Sequence, residues 1–265
     1  MASTAAQTTS TAPIRDRVSD GEWSVRVDLA AFYRLVALHG WNDYIFNHIS
    51  ARVPGPERHY LINPFGLFFD EITASSLVKI DLAGSVLVDE TGLGVNIGGY
   101  VIHGAVHESR EDAHCVGHLH TIEGVAVSAQ KDGLLPLNQD SLTLIDDIAY
   151  HDFEGIALDV EERQRLVEHL GDKNLMILRN HGLLTVGATV ALAFTRMRAL
   201  QNACAIQVAT LAGDAKLQLP SPAARRKVQN QVSTGGNQGS REQVAALAWA
   251  GYLRKLDTID PSYKD

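Results

Sequence analysis

The segment "HCVGHLHT", His114 to Thr121, carries two imidazoles two residues apart, His118 and His120, in a run that otherwise reads as a buried β-strand. Alternate residues of a strand share a face, so both rings project to one side and could hold one cation. A third imidazole, His181 in "RNHGLL", falls where a strand breaks into a turn at Gly182. Strand ends beside such turns aim side chains into clefts. Three neutral imidazoles around a divalent cation, with one coordination position open, make a catalytic metal centre. The pair alone is also compatible with hydrogen-bonded core or surface histidines.

Other candidates surround these three. His103 and His107 lie four apart on a helix and share a face. His107 reads as packing beneath the site, and His103 as either packing or an acid/base. Glu123 could add a carboxylate ligand suited to iron or manganese, or serve the start of the following helix. Arg52 and Arg179 could fork a substrate carboxylate, or sit in surface ion pairs. Tyr100 and His151 are candidates to line the cleft. Because ligand imidazoles must be neutral, a bound metal is expected to leave as pH falls below about 6.5.

The elements that must position these residues alternate along the chain. "VRVDLAAFYRLVALHG" spaces apolar residues three and four apart and predicts a helix ending at Gly40. "NHISARV" and "HYLINP" alternate as strands around Pro54–Gly55–Pro56. "TASSLVKIDLAG" predicts a helix-capping Thr73 and then a short strand. "YVIHGAVHESR" and "TIEGVAVSAQ" read as helices on either side of the histidine strand. "ERQRLVEHLG" is a helix closed by Gly171, and "NLMILRNHG" a buried strand ending in a turn. The longest helix runs from Thr189 to Gly213; a polar stretch, "NQVSTGGNQGS", precedes a last helix, "REQVAALAWAGYLRKL". Without a GxGxxG fingerprint the alternation predicts one α/β domain that is not a dinucleotide-binding unit. Residues 1–22 are expected to be a disordered tail, 23–215 the domain and 216–265 a C-terminal extension.

Composition narrows the function classes. The 265 residues are 45% hydrophobic and 20% charged, ordinary for a soluble globular protein. A formal charge of −8 without a Lys/Arg run argues against nucleic acid as a partner, and "ARRK" at Ala224 to Lys227 reads as solvated surface. No apolar run reaches the roughly 18 residues of a membrane span, and no signal peptide is evident. Two cysteines, Cys115 and Cys204, outside any CxxC motif fit a reducing compartment. A soluble, cytoplasmic protein is expected.

The run "GYVIHGAVHESREDAHCVGHLHT", followed by "LMILRNHGLLTVG" and a long helix, resembles the class II aldolase/adducin family, as do "NHISAR", "INPFG" and "AYHDFEGI". The resemblance implies a three-layer α/β/α fold around a mixed, mostly antiparallel sheet, and usually a homotetramer with sites between subunits. It implies His118, His120 and His181 as ligands of a divalent metal; zinc is the base-rate choice, with manganese, iron and cobalt also open. The family's sugar-phosphate aldolases place a catalytic glutamate four residues before the helix histidine matching His103; here that position is Gly99. Their phosphate pocket uses an Asn, a Thr and two Ser, where this chain has His48, Phe65, Ile97 and Gly98. A buried dianion without partners would cost several kcal/mol, so a sugar-phosphate aldolase is rejected. The "GGY-x-x-H" segment resembles the adducin-like branch.

The expected function is a metal-dependent lyase, by decarboxylation or aldol-type cleavage, on a small non-phosphorylated carbonyl or carboxylate compound or aromatic hydroxy acid. His103 and Tyr100 are the acid/base candidates; His48, Asn63, Gly66 and Arg254 are the substrate contacts. The C-terminal helix often covers the site in this family, or packs between subunits. A non-heme iron oxygenase and a non-catalytic adducin-like assembly module are the alternatives.

Overall fold

The computed structural model describes residues 12–155, 161–213, 216–234 and 240–265. An eight-stranded sheet forms the middle layer, in the order β4-β3-β2-β1-β5-β8-β7-β6. Its strands are β1 (His48–Arg52), β2 (Tyr60–Ile62), β3 (Val78–Ile80), β4 (Val86–Val88), β5 (Cys115–Leu119), β6 (Ile148–His151), β7 (Leu175–Leu178) and β8 (Gly182–Gly187). Every pairing is antiparallel except β6 with β7. The helices are α1 (Asp20–Leu38), α2 (Ile97–Ser109), α3 (Ile122–Ser128), α4 (Gln139–Leu144), α5 (Glu162–Leu170), α6 (Val190–Leu211), α7 (Pro222–Ser233) and α8 (Arg241–Ile259). This is the three-layer α/β/α architecture that the family resemblance implied.

The two-residue period of the strands divides the core. Ile49, Ala51, Cys115, Leu119 and Leu183 face α1, α6 and α8, where Phe32, Phe194 and Trp249 pack. Val116, Leu184 and Val186 face the other way, against Ile102 and Val106 of α2 and Leu166 and Leu170 of α5. His48, Ser50 and His118 fall on this second face by the same alternation, with His48 directly opposite His118. The histidines thus occupy a polar seam between the sheet and α2.

Several boundaries differ from the sequence reading. The chain is folded well before residue 23: Ile14 is buried in a 3-10 turn, and Ser19 caps α1 by accepting from the Glu22 amide. A short amphipathic entry of this kind lacks the length that makes periodicity readable. Residues 1–11, the rest of the expected tail, lie outside the described residues. Thr73 caps a turn, with its hydroxyl accepting from the Ser76 amide, and begins no helix. The long helix closes at Ala212, one residue before the expected glycine. The segment "NLMILRNHGLLTVG" is two antiparallel strands, β7 and β8, because Asn180 adopts a left-handed conformation (φ 55°) and reverses the chain. Within "NQVSTGGNQGS", residues 230–233 end α7 and Ser240 caps α8; residues 235–239 lie outside the described residues. The C-terminal segment packs on its own domain, where the Trp249 indole donates to Asp28 at 2.9 Å and Tyr263 is fully buried.

Candidate metal centre

β5 ends one residue before His120, and the β7–β8 turn brings His181 to the same place. The Nε2 atom of His118 lies 2.9 Å from Nε2 of His120 and 3.3 Å from Nε2 of His181. All three ligand atoms fall within 4.8 Å of one another. Gly182 permits this approach, since a Cβ there would stand 2.5 Å from the Leu119 carbonyl oxygen. His118 is fully buried, and the other two are partly exposed.

The protons on these rings are placed by their outer neighbours. His118 Nδ1 faces the Leu183 carbonyl at 3.0 Å, and His120 Nδ1 faces Asp43 at 3.1 Å. Carbonyls and carboxylates only accept, so both Nδ1 atoms carry hydrogen, and in the neutral rings that a metal requires both Nε2 atoms carry lone pairs. Burial lowers the pKa of His118 well below the ordinary imidazole value, and neighbouring histidines add to it. Burial likewise takes His181 down to about 4. Two lone pairs 2.9 Å apart with no proton between them are repulsive unless a cation lies among them. In a tetrahedral zinc site with bonds of about 2.0–2.1 Å the nitrogens sit roughly 3.3 Å apart, close to the spacing found. Outer partners such as Leu183 and Asp43 are also what ligand histidines require. The donor set therefore fits a divalent metal.

A second set of histidines lies behind the first. His48 Nδ1 is 3.0 Å from His103 Nε2, and Ser50 Oγ is 2.6 Å from His103 Nδ1. Ser50 Oγ is also 2.7 Å from His107 Nε2, whose Nδ1 faces the Ala113 carbonyl at 2.9 Å. His103, Ser50 and His107 are buried, and His48 retains 4% exposure. His103 thus lies buried beneath His48, and His107 is buried between Ser50 and the Ala113 carbonyl. Gly99 explains the missing glutamate in steric terms. A Cβ at that position would lie 3.1 Å from His48 Cδ2 and 3.0 Å from Ile62 Cδ1, so the His48 ring occupies the space a side chain at 99 would need.

The remaining candidates fall elsewhere. Tyr100 turns toward α5: its ring lies under the Arg163 guanidinium (4.9 Å) and lines a groove with Leu82 and Glu108, which holds none of the three histidines. Asn63 is buried, and its side-chain oxygen accepts from the Tyr33 hydroxyl at 2.9 Å. Gly66 holds a loop conformation at φ 121°. Arg254 is exposed on α8, a helix that packs against α1 and α6. Glu123 accepts from Gln201 at 2.7 Å and is no part of the cluster. Arg52 donates to the carbonyls of His107 and Arg110, and Arg179 donates to the Gln130 carbonyl, so both clamp backbone. His151 pairs with His169 at 2.8 Å and Glu162 at 3.3 Å. Sequence reasoning passed over Asp43 and Ser50. Ser50 stands two residues from His48 on one strand and could have been read by period; Asp43 reaches His120 across 77 positions and left no local signal.

The comparisons agree with this architecture. Residues 27–208 match the family model for the class II aldolase and adducin N-terminal domain. A Caulobacter vibrioides protein named for aldolase class 2 is 56% identical over 256 residues, covering 96% of this chain and 97% of its own. Mouse alpha-adducin is 45% identical over 90% of this chain, which spans 34% of the adducin. The crystal structure of an aldolase II superfamily protein from Pseudomonas syringae superposes with a TM-score of 0.89 at 53% identity, covering 96% of this chain and 100% of that one. An L-fuculose 1-phosphate aldolase from Glaciozyma antarctica gives 0.78 at 25% identity, covering 92% and 93%. This chain belongs to the class II aldolase and adducin N-terminal domain family.

Proposed function

We propose that the protein is a divalent-metal-dependent lyase acting on a small carbonyl or carboxylate compound that carries no phosphate. The observation that carries this reading is the convergence of three Nε2 atoms, two of them with their lone pairs fixed by Leu183 and Asp43. A divalent ion held there supplies Lewis-acid stabilisation of the negative charge that develops on a substrate oxygen as a neighbouring bond breaks. Zinc remains the base-rate choice of ion. Decarboxylation needs no base to begin, so it suits a helix that carries glycine at position 99. Solvent reaches the site past His120 and His181 and can provide the proton the product carbon needs.

Cytoplasmic residence and a homotetramer belong to the same proposal. The two cysteines are free and buried, as a reducing compartment allows. Tyr44 and Ile122, neighbours in sequence of Asp43 and His120, are 71% and 84% exposed, as residues that pack against another subunit would be in a single chain. Among the described residues no helix is long and apolar enough to cross a membrane. The test is anaerobic incubation of the metal-loaded protein with a panel of 2-oxo acids and aromatic hydroxy acids. Carbon dioxide or aldehyde release, abolished by chelation, is expected; turnover unchanged by chelation would contradict the metal role, and turnover that requires oxygen would favour the oxygenase.

The second reading is an adducin-like assembly module, favoured by the identity to mouse alpha-adducin. Absence of bound metal, with no thermal shift on adding zinc, manganese or iron, would support it.

A further inference from the structure

Three buried rings and one hydroxyl behind the metal centre admit a single arrangement of hydrogens. The Ala113 carbonyl only accepts, so His107 Nδ1, 2.9 Å away, carries hydrogen. A neutral imidazole has one N–H, and burial, the largest influence on His107, brings its pKa down to about 3. Its Nε2 is therefore a lone pair and takes the Ser50 hydroxyl hydrogen at 2.7 Å. With that hydrogen committed, Ser50 Oγ accepts from His103 Nδ1 at 2.6 Å. His103 Nε2 is then a lone pair and accepts from His48 Nδ1 at 3.0 Å. The last nitrogen, His48 Nε2, is left as an acceptor. Running the chain in reverse would set a lone pair of His107 against a carbonyl lone pair at 2.9 Å.

His48 Nε2 has no hydrogen-bond partner among the described residues, and it is not one of the fully buried polar atoms that lack one. The ring keeps a small exposure, stands opposite His118 in the β1–β5 register, and its centroid is 5.2 Å from that of His118. It stays outside the three-residue group whose nitrogens converge on one point. Its free nitrogen therefore borders the metal centre without joining it.

We propose that His48 is a specificity-determining residue whose Nε2 accepts a hydrogen bond from a hydroxyl of the substrate beside the metal centre, with Ser50, His103 and His107 as positioning residues. The inference rests on the metal-centre reading above and names the substrate class more narrowly: a hydroxylated carbonyl or 2-oxo acid. A phosphate or carboxylate oxygen at this place would meet lone pair with lone pair, whereas a hydroxyl brings the missing hydrogen.

Pyruvate and hydroxypyruvate, which differ by one hydroxyl, are the probes, titrated calorimetrically into the zinc-loaded protein. Hydroxypyruvate is expected to bind about fivefold more tightly, the usual worth of one neutral hydrogen bond, and His48→Leu is expected to remove the preference. Long-range proton–nitrogen correlation of the histidine rings in metal-free protein is expected to show hydrogen on Nδ1 of His48, His103 and His107. If His48→Leu fails to fold, Ser50→Ala serves: it opens the chain, frees His48 to exchange its hydrogen between nitrogens, and reduces both the preference and the single-tautomer signature. Hydrogen found on His48 Nε2, or an equal affinity for the two acids in the zinc-loaded protein, overturns the inference while leaving the metal centre standing. A protein that takes up none of zinc, manganese, iron and cobalt overturns the metal centre and the substrate contact together.

Discussion

Two groups of three histidines lie on one face of the sheet, separated by little more than the contact between His48 and His118. They are built in opposite ways. In the front group the Nδ1 atoms of His118 and His120 point outward to Leu183 and Asp43, so their neutral rings bring lone pairs to the point where the Nε2 atom of His181 joins them. In the rear group each lone pair up to His48 Nε2 meets a donor, and the sequence of donors ends on the Ala113 carbonyl. Residue type is the same in both; the count of hydrogens is what differs. A histidine cluster becomes a cation site where its outer partners consume the hydrogens, and a structural network where the rings satisfy one another.

The comparison can be broken by exchanging the losses. His181→Ala is expected to weaken zinc binding by more than about 100-fold, beyond the range typical of an outer partner, while the metal-free protein keeps its stability. His107→Ala is expected to do the reverse, because it strands the buried Ser50 and His103 groups at about 1–3 kcal/mol each. Zinc calorimetry and thermal unfolding on the same two variants read both; parallel losses in either variant would erase the distinction.

Acid should act on the buried neutral rings of both groups in metal-free protein. His48 and His107 have pKa values lowered to about 3, and His103 lies well below the ordinary value, all with burial as the largest cause. The unfolded chain takes up protons near 6.5 and the folded one does not. The stability these rings contribute is therefore fully present above pH 6.5 and is lost progressively as pH falls toward about 3. Melting temperature should fall steadily below 6.5, and a flat profile down to pH 4 would contradict the burial of neutral rings.

Smaller effects sharpen the picture. Asp43→Ala, which frees the outer hydrogen of His120, is expected to cost 10- to 100-fold in zinc affinity by calorimetry with little change in melting temperature. Gly99→Ala should destabilise by about 1 kcal/mol in spite of its helical position, since His48 is held by His103 and cannot give way. Chemical denaturation of Gly99→Ala in a His48→Asn background should recover that loss.

Much of this was legible in the sequence, for reasons that can be named. The two-residue period of "HCVGHLHT" gave the pair, the glycine after His181 gave the turn, and the family resemblance joined them. The three layers and the mixed, mostly antiparallel sheet followed from the same resemblance, whereas the order of the strands did not. What stayed hidden depends on long-range contact or on short elements. Asp43 meets His120 only in the fold, and β4, at three residues, is too short to show a pattern. Tyr100 sits one helical turn from His103, yet Arg163 and the close approach of Gly84 draw it to the opposite side. His103 looked like an acid/base from position alone; only the packing of His48 above it shows that it is covered.

Metal content per chain is the most direct measurement of the central claim. Protein dialysed against micromolar zinc and then against metal-free buffer should retain one equivalent by elemental analysis, and the His181→Ala variant should retain close to none. Wild-type protein that retains no zinc, manganese, iron or cobalt, or a His181→Ala variant that retains a full equivalent, would contradict the account.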